Sequence, residues 1–366
     1  MTRPPVDRAE RRDRFERALA RSSLDAALVT HRPDVRYLSG FSGSSGTLLH
    51  PRSDAPVLIT DFRYEEQAAH EVDAPVRVHI TREGWVTAVG ELVRAGAAAR
   101  IAFEPAHLSV ADHRKVRDAT PDAVWVEAPG VVAALRAVKS EGEVASIERA
   151  VRVAESALER LLESVDWRAE PTELEITARL ELELRRAGSE RLPFEVIIAS
   201  GPRASLPHAG PGGRAVRDGD LLLVDWGATV DGYCSDLTRT FVVGVASEWQ
   251  RELHARVLAA QDAAVAAIAE GAAARDVDAA TRARLAEHGV DRYFGHSTGH
   301  GIGLEVHEEP RLSVRSDDIL AAGNVVTVEP GVYVPGRGGV RIEDDVLVTE
   351  TGARRLSGLR RDLVEL

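Results

Sequence analysis

The stretch that decides the fold spans residues 221–243 and reads LLLVDWGATVDGYCSDLTRTFVV. Its centre is the pair Asp231-Gly232, which is the strongest short signal for a two-residue hairpin turn. With these two residues in the turn, residue 230 pairs with 233 and residue 227 pairs with 236. The apolar run before the turn indicates a buried strand, so the stretch predicts a β-hairpin whose first strand lies in a core.

Two aspartates lie in this hairpin, one on each strand. Asp225 follows four apolar residues, and Asp236 precedes the apolar end of the second strand. In the predicted register they are diagonal neighbours on one face, about 7–8 Å apart at Cβ. Two carboxylates on a buried face repel each other and are costly to desolvate, and divalent cations remove both costs. Turn formation and ion pairing are the alternative roles for these aspartates.

A second hairpin near the C-terminus carries two glutamates. Glu329 follows the apolar segment 324–328, and Glu343 follows Ile342. The Pro-Gly-Arg-Gly-Gly run at 335–339 turns the chain, and a three-residue loop at 335–337 places Glu329 opposite Glu343. We therefore expect two more acids on one sheet face. A solvated position at a strand edge is the alternative for each glutamate taken alone.

Three of the twelve histidines lie close together, at His296, His300 and His307. Glycines on both sides of His300 allow the backbone there to take unusual angles or to approach another segment closely. A structural role is the alternative for a single histidine. The chain offers a hard, oxygen-rich donor set that two divalent ions would balance in charge, which favours Mn(II), Fe(II) or Co(II) over a structural thiolate zinc. The predicted ligands are Asp225, Asp236, His300, Glu329 and Glu343.

The order and spacing of these residues resemble the pita-bread metallopeptidases, which include methionine aminopeptidase, aminopeptidase P and prolidase. That family has Asp, a second Asp eleven residues later, then His, then Glu and a second Glu fourteen residues later. All five positions are present here, and the resemblance covers about residues 140–360. The segments 34–44 and 60–68 are similar to the creatinase-type N-terminal domain of the Xaa-Pro branch.

The pattern of elements agrees with two domains of different class. In the first third, short strands alternate with helices of about ten residues, which indicates an α/β structure. From residue 140 onward, long helices and runs of strands indicate an α+β structure. With the resemblance, this predicts an α/β creatinase-type N-terminal domain at residues 1–135 and an α+β pita-bread catalytic domain at residues 136–366.

The resemblance also implies a role for each site residue. Glu329 is the expected acid/base as well as a ligand. His208 and His307 are expected to act in catalysis by contacting the substrate and the tetrahedral intermediate. The residues expected to bind substrate are His208, His296, His307, Tyr333 and Arg341. Of these, His296, Tyr333 and Arg341 are expected to line the proline pocket. A plain ion pair is the alternative for Arg341, and packing is the alternative for Tyr333.

The function that the resemblance implies is that of an Xaa-Pro aminopeptidase, which removes the N-terminal residue from peptides with proline in second position. The N-terminal segments favour this activity over the alternative, an Xaa-Pro dipeptidase (prolidase). Cleavage of an Xaa-Pro-Yaa tripeptide separates the two. A non-catalytic binding module and a creatinase are further alternatives. The complete set of five ligands argues against both. We expect two divalent ions. Mn(II) is the expected metal, and Co(II), Fe(II) and Zn(II) are the alternatives.

Composition restricts the partners and the location. The chain has 366 residues, 46 basic and 58 acidic, for a net charge of −12, which disfavours nucleic acid as a partner. No apolar run reaches the ~18 residues that a membrane span needs, and the N-terminus is too charged for a signal peptide. The single cysteine fits a reducing compartment. We expect a cytoplasmic homodimer that acts on peptides and binds neither nucleic acid nor membranes.

Overall fold

The computed structural model of the protein describes residues 7–96 and 98–366. The chain forms two compact units, whose described parts are residues 7–96 with 98–136, and Ala137–Leu366. The predicted division falls one residue earlier, between 135 and 136. Residues 1–6 of the predicted N-terminal domain lie outside the described residues.

The N-terminal unit is built on one mixed sheet with the strand order β4-β3-β2-β1-β5-β6. Strand β1 pairs in parallel with β5 and antiparallel with β2. The strands are β1 (Ala26–Val29), β2 (Thr47–Pro51), β3 (Val57–Asp61), β4 (Arg77–Thr81), β5 (Arg100–Phe103) and β6 (Val124–Glu127). The helices are α1 (Arg8–Arg21), α2 (Arg32–Ser39), α3 (Glu65–Glu71), α4 (Trp85–Gly96), α5 (Val110–Ala119) and α6 (Val131–Ala137).

Apolar residues of this sheet and its helices share one core. Leu28 and Ile101 from the central strands pack with Val89 of α4 and Val116 of α5. Burial on one face of each helix against the sheet is what an α/β layer structure requires. The predicted class of this unit is confirmed.

Helix α2 is an element to which the sequence analysis assigns no structure. It has a proline in its first turn and ends at Gly40, whose φ of +83° is the left-handed conformation that glycine adopts most easily. The buried residues Val35 and Leu38 anchor it to the core.

The C-terminal unit contains longer helices and two larger sheets. The helices are α7 (Glu141–Ser164), α8 (Glu173–Ala187), α9 (Glu248–Ala267) and α10 (Ala274–Ala286). Helix α7 begins with a capping box, in which the backbone N–H of Ser140 donates to Oε2 of Glu143 at 2.9 Å. Helix α9 packs against strands of this unit, which buries Ala264 with Val326 and Val346.

Thirteen named strands lie in the described residues of this unit. They are β7 (Ile197–Ser200), β8 (Leu221–Trp226), β9 (Thr229–Val230), β10 (Tyr233–Cys234), β11 (Leu237–Val242), β12 (Gly299–Gly301), β13 (Glu308–Leu312), β14 (Val325–Val328), β15 (Gly331–Val334), β16 (Gly338–Arg341), β17 (Asp344–Thr349), β18 (Gly352–Arg355) and β19 (Val364–Glu365). The two sheets have the orders β19-β11-β8-β7 and β13-β12-β14-β17-β18.

The hairpin that decides the fold has the predicted register. Val230 pairs with Tyr233, and Asp231 and Gly232 form the turn with φ values of +52° and +81°. The same register continues into β8 and β11, where Asp225 faces Thr238. Both aspartates of the hairpin therefore lie on one face, as the sequence predicts.

The C-terminal hairpin also has the predicted register. Val334 pairs with Gly338 across a loop of residues 335–337, and Val328 pairs with Asp344 further along the same ladder. The ladder is interrupted between these pairs, at the positions of Glu329 and Glu343. No helix within residues 7–96 and 98–366 has the length and apolarity needed to cross a membrane.

Candidate metal centre

The five predicted ligands lie around one cavity of about 620 Å³ in the C-terminal unit. They come from strands or strand ends that are far apart in the sequence. Asp225 is in β8, Asp236 directly precedes β11, His300 is in β12, Glu329 directly follows β14 and Glu343 directly precedes β17. The two sheets thus bring the five side chains to one place.

The donor atoms are close enough to share small ions. Asp236, His300 and Glu343 each offer one donor atom, and these three atoms lie within 4.8 Å of one another. Nε2 of His300 lies 3.8 Å from Oδ2 of Asp236 and 3.5 Å from Oε1 of Glu329. A carboxylate and an imidazole nitrogen at these separations point toward a common centre.

His300 presents a free lone pair to these acids. Its Nδ1 donates to the carbonyl of Gly301 at 3.1 Å, which leaves Nε2 unprotonated when the ring is neutral. Burial lowers the pKa of His300 to about 4, with the neighbouring His307 acting in the same direction. A neutral ring held by a carbonyl is the usual arrangement of a metal-binding histidine.

The glycines beside His300 are required by close packing. A Cβ on Gly299 would lie 1.9 Å from the carbonyl oxygen of Thr327, and a Cβ on Gly301 would lie 2.2 Å from the carbonyl oxygen of Glu309. Strands β14 and β13 pack closely against the two sides of β12, so only glycine fits at positions 299 and 301. The sequence pattern around His300 is therefore a consequence of strand packing.

The four acids destabilise one another's ionised forms in the absence of cations. Burial is the largest cause for each, and it raises the pKa of Glu329 to about 8. The pKa values of Asp236 and Glu343 lie well above their ordinary values because of burial and then neighbouring carboxylates, and burial also raises the pKa of Asp225. Such a cluster is typical of a functional site.

Arg341 supplies a buried positive charge to this cluster. Its guanidinium pairs with Asp225, donates to the hydroxyl of Tyr333 at 2.7 Å and donates through Nε to Thr238 Oγ1 at 3.1 Å. The Thr238 hydroxyl in turn donates to Oε2 of Glu343 at 2.6 Å. Arg341 thus connects ligands of both hairpins, which is more than the plain ion pair left as its alternative.

The remaining predicted residues divide into two groups. His208, His296 and His307 line the cavity, and the rings of His300 and His307 meet edge to face at 4.4 Å. Tyr333 is buried and is not among the described residues that line the cavity. Its hydroxyl lies 3.0 Å from Nε2 of His296 and 2.7 Å from Nη1 of Arg341, so Tyr333 contacts two residues that line the cavity.

Arg311 is a cavity residue that the sequence analysis does not identify. It lies in β13 directly opposite His300, and its side chain is 70% exposed at the cavity. Its charge lowers the pKa values of His307 and His300, although burial is the larger cause for both. The signal for it is the strand pairing of β12 with β13, which local sequence does not reveal.

The residues present fit divalent cations. Four carboxylates and one neutral nitrogen form a hard donor set, and two divalent ions would match its charge. Oδ1 of Asp225 is buried and has no hydrogen-bond partner among the described residues, an arrangement that a cation would satisfy. Asp236 is held in place by its backbone N–H, which donates to Oδ2 of Asp345 at 3.2 Å.

Two family models match the chain. Residues 145–350 match the model of metallopeptidase family M24, and residues 11–138 match the model of the creatinase/prolidase N-terminal domain. The chain is also 35% identical over 350 residues to a protein of Pyrococcus horikoshii named Xaa-Pro dipeptidase. The alignment covers 94% of this chain and 95% of the relative.

Solved structures with the same fold cover almost the whole chain. A structure described as Xaa-Pro dipeptidase from Bacillus anthracis has a TM-score of 0.93 and 36% identity, and covers 98% of this chain and 100% of its own. A structure described as X-Pro aminopeptidase from Thermotoga maritima has a TM-score of 0.90 and 36% identity, and covers 97% of this chain and 100% of its own.

Proposed function

The chain belongs to metallopeptidase family M24, a membership that implies divalent metal ions, and on this basis we propose that it is an Xaa-Pro dipeptidase. The observation that carries the proposal is the convergence of Asp225, Asp236, His300, Glu329 and Glu343 on one cavity that also contains Arg311. We assign the first five as ligands of two divalent ions, with Mn(II) as the expected metal.

The choice between dipeptidase and aminopeptidase has support on both sides. The N-terminal segments 34–44 and 60–68 favour an aminopeptidase, as does the name of the Thermotoga maritima relative. The names of the Pyrococcus horikoshii and Bacillus anthracis relatives favour the alternative that the sequence analysis left open, a dipeptidase. The position of Arg311 adds a physical reason for the second.

We assign Arg311 to bind the free carboxylate of a dipeptide substrate. In Xaa-Pro the scissile bond and the C-terminal carboxylate are separated by one proline residue, so a cation near the metal ligands can bind that carboxylate. Arg311 is opposite His300 in the strand pair and lines the same cavity. A planar guanidinium binds carboxylate with two parallel hydrogen bonds. A longer peptide has an amide in place of this carboxylate.

The hydrolysis adds water across the amide bond that precedes proline. When bound, the ions would lower the pKa of a water molecule and polarise the scissile carbonyl. The Glu329 carboxylate can take the proton from the attacking water and pass it to the proline nitrogen as the C–N bond breaks. The neutral His307, whose pKa is lowered by burial, can donate an N–H to the oxyanion, and we assign His208 the same task.

The proline side of the cavity is held rigid by hydrogen bonds behind its wall. His296 has a pKa lowered to about 4 by burial, so its ring is neutral and Nε2 accepts from Tyr333. Tyr333 accepts from Arg341 at 2.7 Å. We assign His296 and Arg341 to contact with substrate and Tyr333 to their support.

A comparison of three peptides tests the proposal. With Mn²⁺ present, Ala-Pro is expected to be hydrolysed, whereas Ala-Pro-Ala and Ala-Ala are expected to be cleaved much more slowly. Release of free alanine, followed by chromatography, measures all three. A kcat/KM for Ala-Pro-Ala equal to or above that for Ala-Pro would identify an aminopeptidase instead, and no cleavage of either proline peptide would refute both activities.

Replacing Arg311 by glutamine is expected to raise KM for Ala-Pro about 10- to 100-fold with little change in kcat. The reason is that hydrogen bonds to a charged group contribute about 1.5–3 kcal/mol and are lost from both substrate and transition state. Steady-state kinetics on Ala-Pro and on its C-terminal amide measure the effect. The amide should respond far less, because it has no carboxylate.

The matched control is Arg315→Gln, which removes an exposed arginine that does not line the cavity. Its kinetics are expected to equal those of the unaltered protein. If Arg311→Gln changed KM equally for the dipeptide and its amide, the assignment of Arg311 would be wrong.

The remaining expectations stay part of the proposal. They are a homodimer, a cytoplasmic location and peptide substrates. Sedimentation equilibrium tests the dimer, and fractionation of cells tests the location.

A further inference from the structure

The loop that contains His296 and leads to His300 is anchored to a buried carboxylate on helix α10. Asp278 is completely buried. Its Oδ1 accepts two hydrogen bonds from Thr298, one from the backbone N–H at 3.0 Å and one from Oγ1 at 2.9 Å. The anchored residue lies between the two histidines, two positions from each.

Arg282 extends this anchor to His296. It lies one turn after Asp278 on α10 and donates through Nε to Oδ2 of Asp278 at 2.7 Å. Its Nη2 donates to the carbonyl of His296 at 2.7 Å. Its guanidinium also stacks 4.6 Å from the ring centroid of Phe294, whose ring contacts that of His296 edge to face at 4.9 Å.

The same loop is connected to Glu329. The backbone N–H of Glu329 donates to the carbonyl of Thr298 at 2.8 Å. Thr298 is therefore held by Asp278 through its N–H and hydroxyl, and it holds Glu329 through its carbonyl. Asp278, Arg282 and Thr298 form one hydrogen-bonded unit between α10 and the metal centre.

We propose that Asp278 and Arg282 are positioning residues for the metal centre, which rests on the proposed function. A buried carboxylate is costly unless its oxygens are satisfied, and here they accept from Thr298 and Arg282. Loss of the negative charge weakens both contacts, because hydrogen bonds to a charged acceptor are the stronger ones. Thr298 can then move, and with it the backbone of His300 and Glu329. Displacements of about 1 Å at a catalytic centre can cost about 100-fold in rate.

The test is Asp278→Asn, which keeps the size of the side chain and removes its charge. We expect Mn²⁺ affinity, measured by calorimetry, and kcat/KM for Ala-Pro each to fall about 10- to 100-fold, the range found when a partner of a metal ligand is removed. The matched control is Asp276→Asn, on the same helix but exposed, with both quantities unchanged. Circular dichroism checks that each variant is folded.

A second variant keeps the inference testable if Asp278→Asn does not fold. Thr298→Val removes one donor to Asp278 and keeps the backbone N–H, so smaller losses in the same two quantities are expected. Mn²⁺ affinity and kcat/KM equal to those of the unaltered protein in the folded variant would overturn the inference and leave the proposed function intact. Absence of Mn²⁺ binding by the unaltered protein would overturn the proposed function itself.

Discussion

Replacing Asp236 by asparagine is expected to reduce peptidase activity and divalent-ion affinity at least about 100-fold. Asp236 is one of the three residues whose donor atoms lie within 4.8 Å of one another, with His300 and Glu343. Asparagine has nearly the same size, but it is neutral and offers one oxygen. Loss of a residue beside a metal ligand costs about 10- to 100-fold, so loss of a ligand should cost at least about 100-fold in kcat/KM. Calorimetry with Mn²⁺ and the Ala-Pro assay measure the two effects.

The same substitution is expected to stabilise the metal-free protein. Burial raises the pKa of Asp236 well above its ordinary value, and the charges of Glu343, Asp225 and Glu329 raise it further. Its ionised form therefore opposes folding when no cation is bound. We expect the melting temperature of chelated Asp236→Asn to exceed that of the chelated unaltered protein at pH 8 by a few degrees, since 1 kcal/mol corresponds to about 2–4 °C in a unit of this size.

Asp317→Asn is the control for both effects, because the Asp317 side chain is 99% exposed. It should leave activity and melting temperature unchanged. An Asp236→Asn protein that kept its activity would contradict the proposed ligand set. One that melted lower than the chelated unaltered protein would contradict the mutual destabilisation of the buried acids.

Local turn chemistry explains why the two hairpins could be predicted from the sequence. Asp231-Gly232 specifies a two-residue turn, and a strand's side chains alternate between faces, so the turn alone determines which residues share a face. The loop at 335–337 acts in the same way for Glu329 and Glu343. Both registers agree with the structure because nothing outside each hairpin is needed to set them.

Contacts between distant segments could not be derived in this way. The expectation that His208 lies near the hairpin acids rests on the resemblance alone, since no local signal in its loop indicates a site. Arg311 was missed because its position depends on the pairing of β12 with β13. The predicted contact of Tyr333 with substrate stays a prediction, and its hydroxyl contacts two residues that line the cavity, His296 and Arg341.

The sequence around Asp278 contains a signal that this acid is buried. Its neighbours on the buried face of α10 are Ala274, Val277, Thr281 and Leu285. An acid at helical spacing within an apolar face is rare unless it is paired, because an uncompensated buried charge is costly. Such a position indicates a buried hydrogen-bonded network, although the partners it holds are known only from the structure.

Chelation is expected to remove activity completely and to make stability depend on pH in a direction set by the acid cluster. In the metal-free protein the pKa of Glu329 is raised from 4.5 to about 8, mainly by burial. Between these values the folded protein holds a proton that the unfolded chain has released, so the free energy of unfolding falls as pH rises. Asp236 and Glu343, whose pKa values are also raised, act in the same direction.

The buried histidines act in the opposite direction at lower pH. The pKa values of His296 and His300 are lowered from 6.5 to about 4, so their contribution to stability is lost as pH falls through this range and is complete above 6.5. Toward pH 8 the histidine contribution is complete, and the acids determine the trend. We expect the melting temperature of the chelated protein to fall as pH rises toward 8.

The metal-loaded protein should not show this fall, because bound cations favour the ionised carboxylates and bind more tightly as these groups lose their protons. Melting curves of chelated and Mn²⁺-loaded protein from pH 6.5 to 8 measure the difference, and added Mn²⁺ should restore activity. Chelator saturated with Mn²⁺ beforehand is the control and should change nothing. Full turnover by protein that elemental analysis shows to be metal-free would refute the proposed metal centre, and a melting temperature that rises with pH after chelation would refute the buried charge cluster.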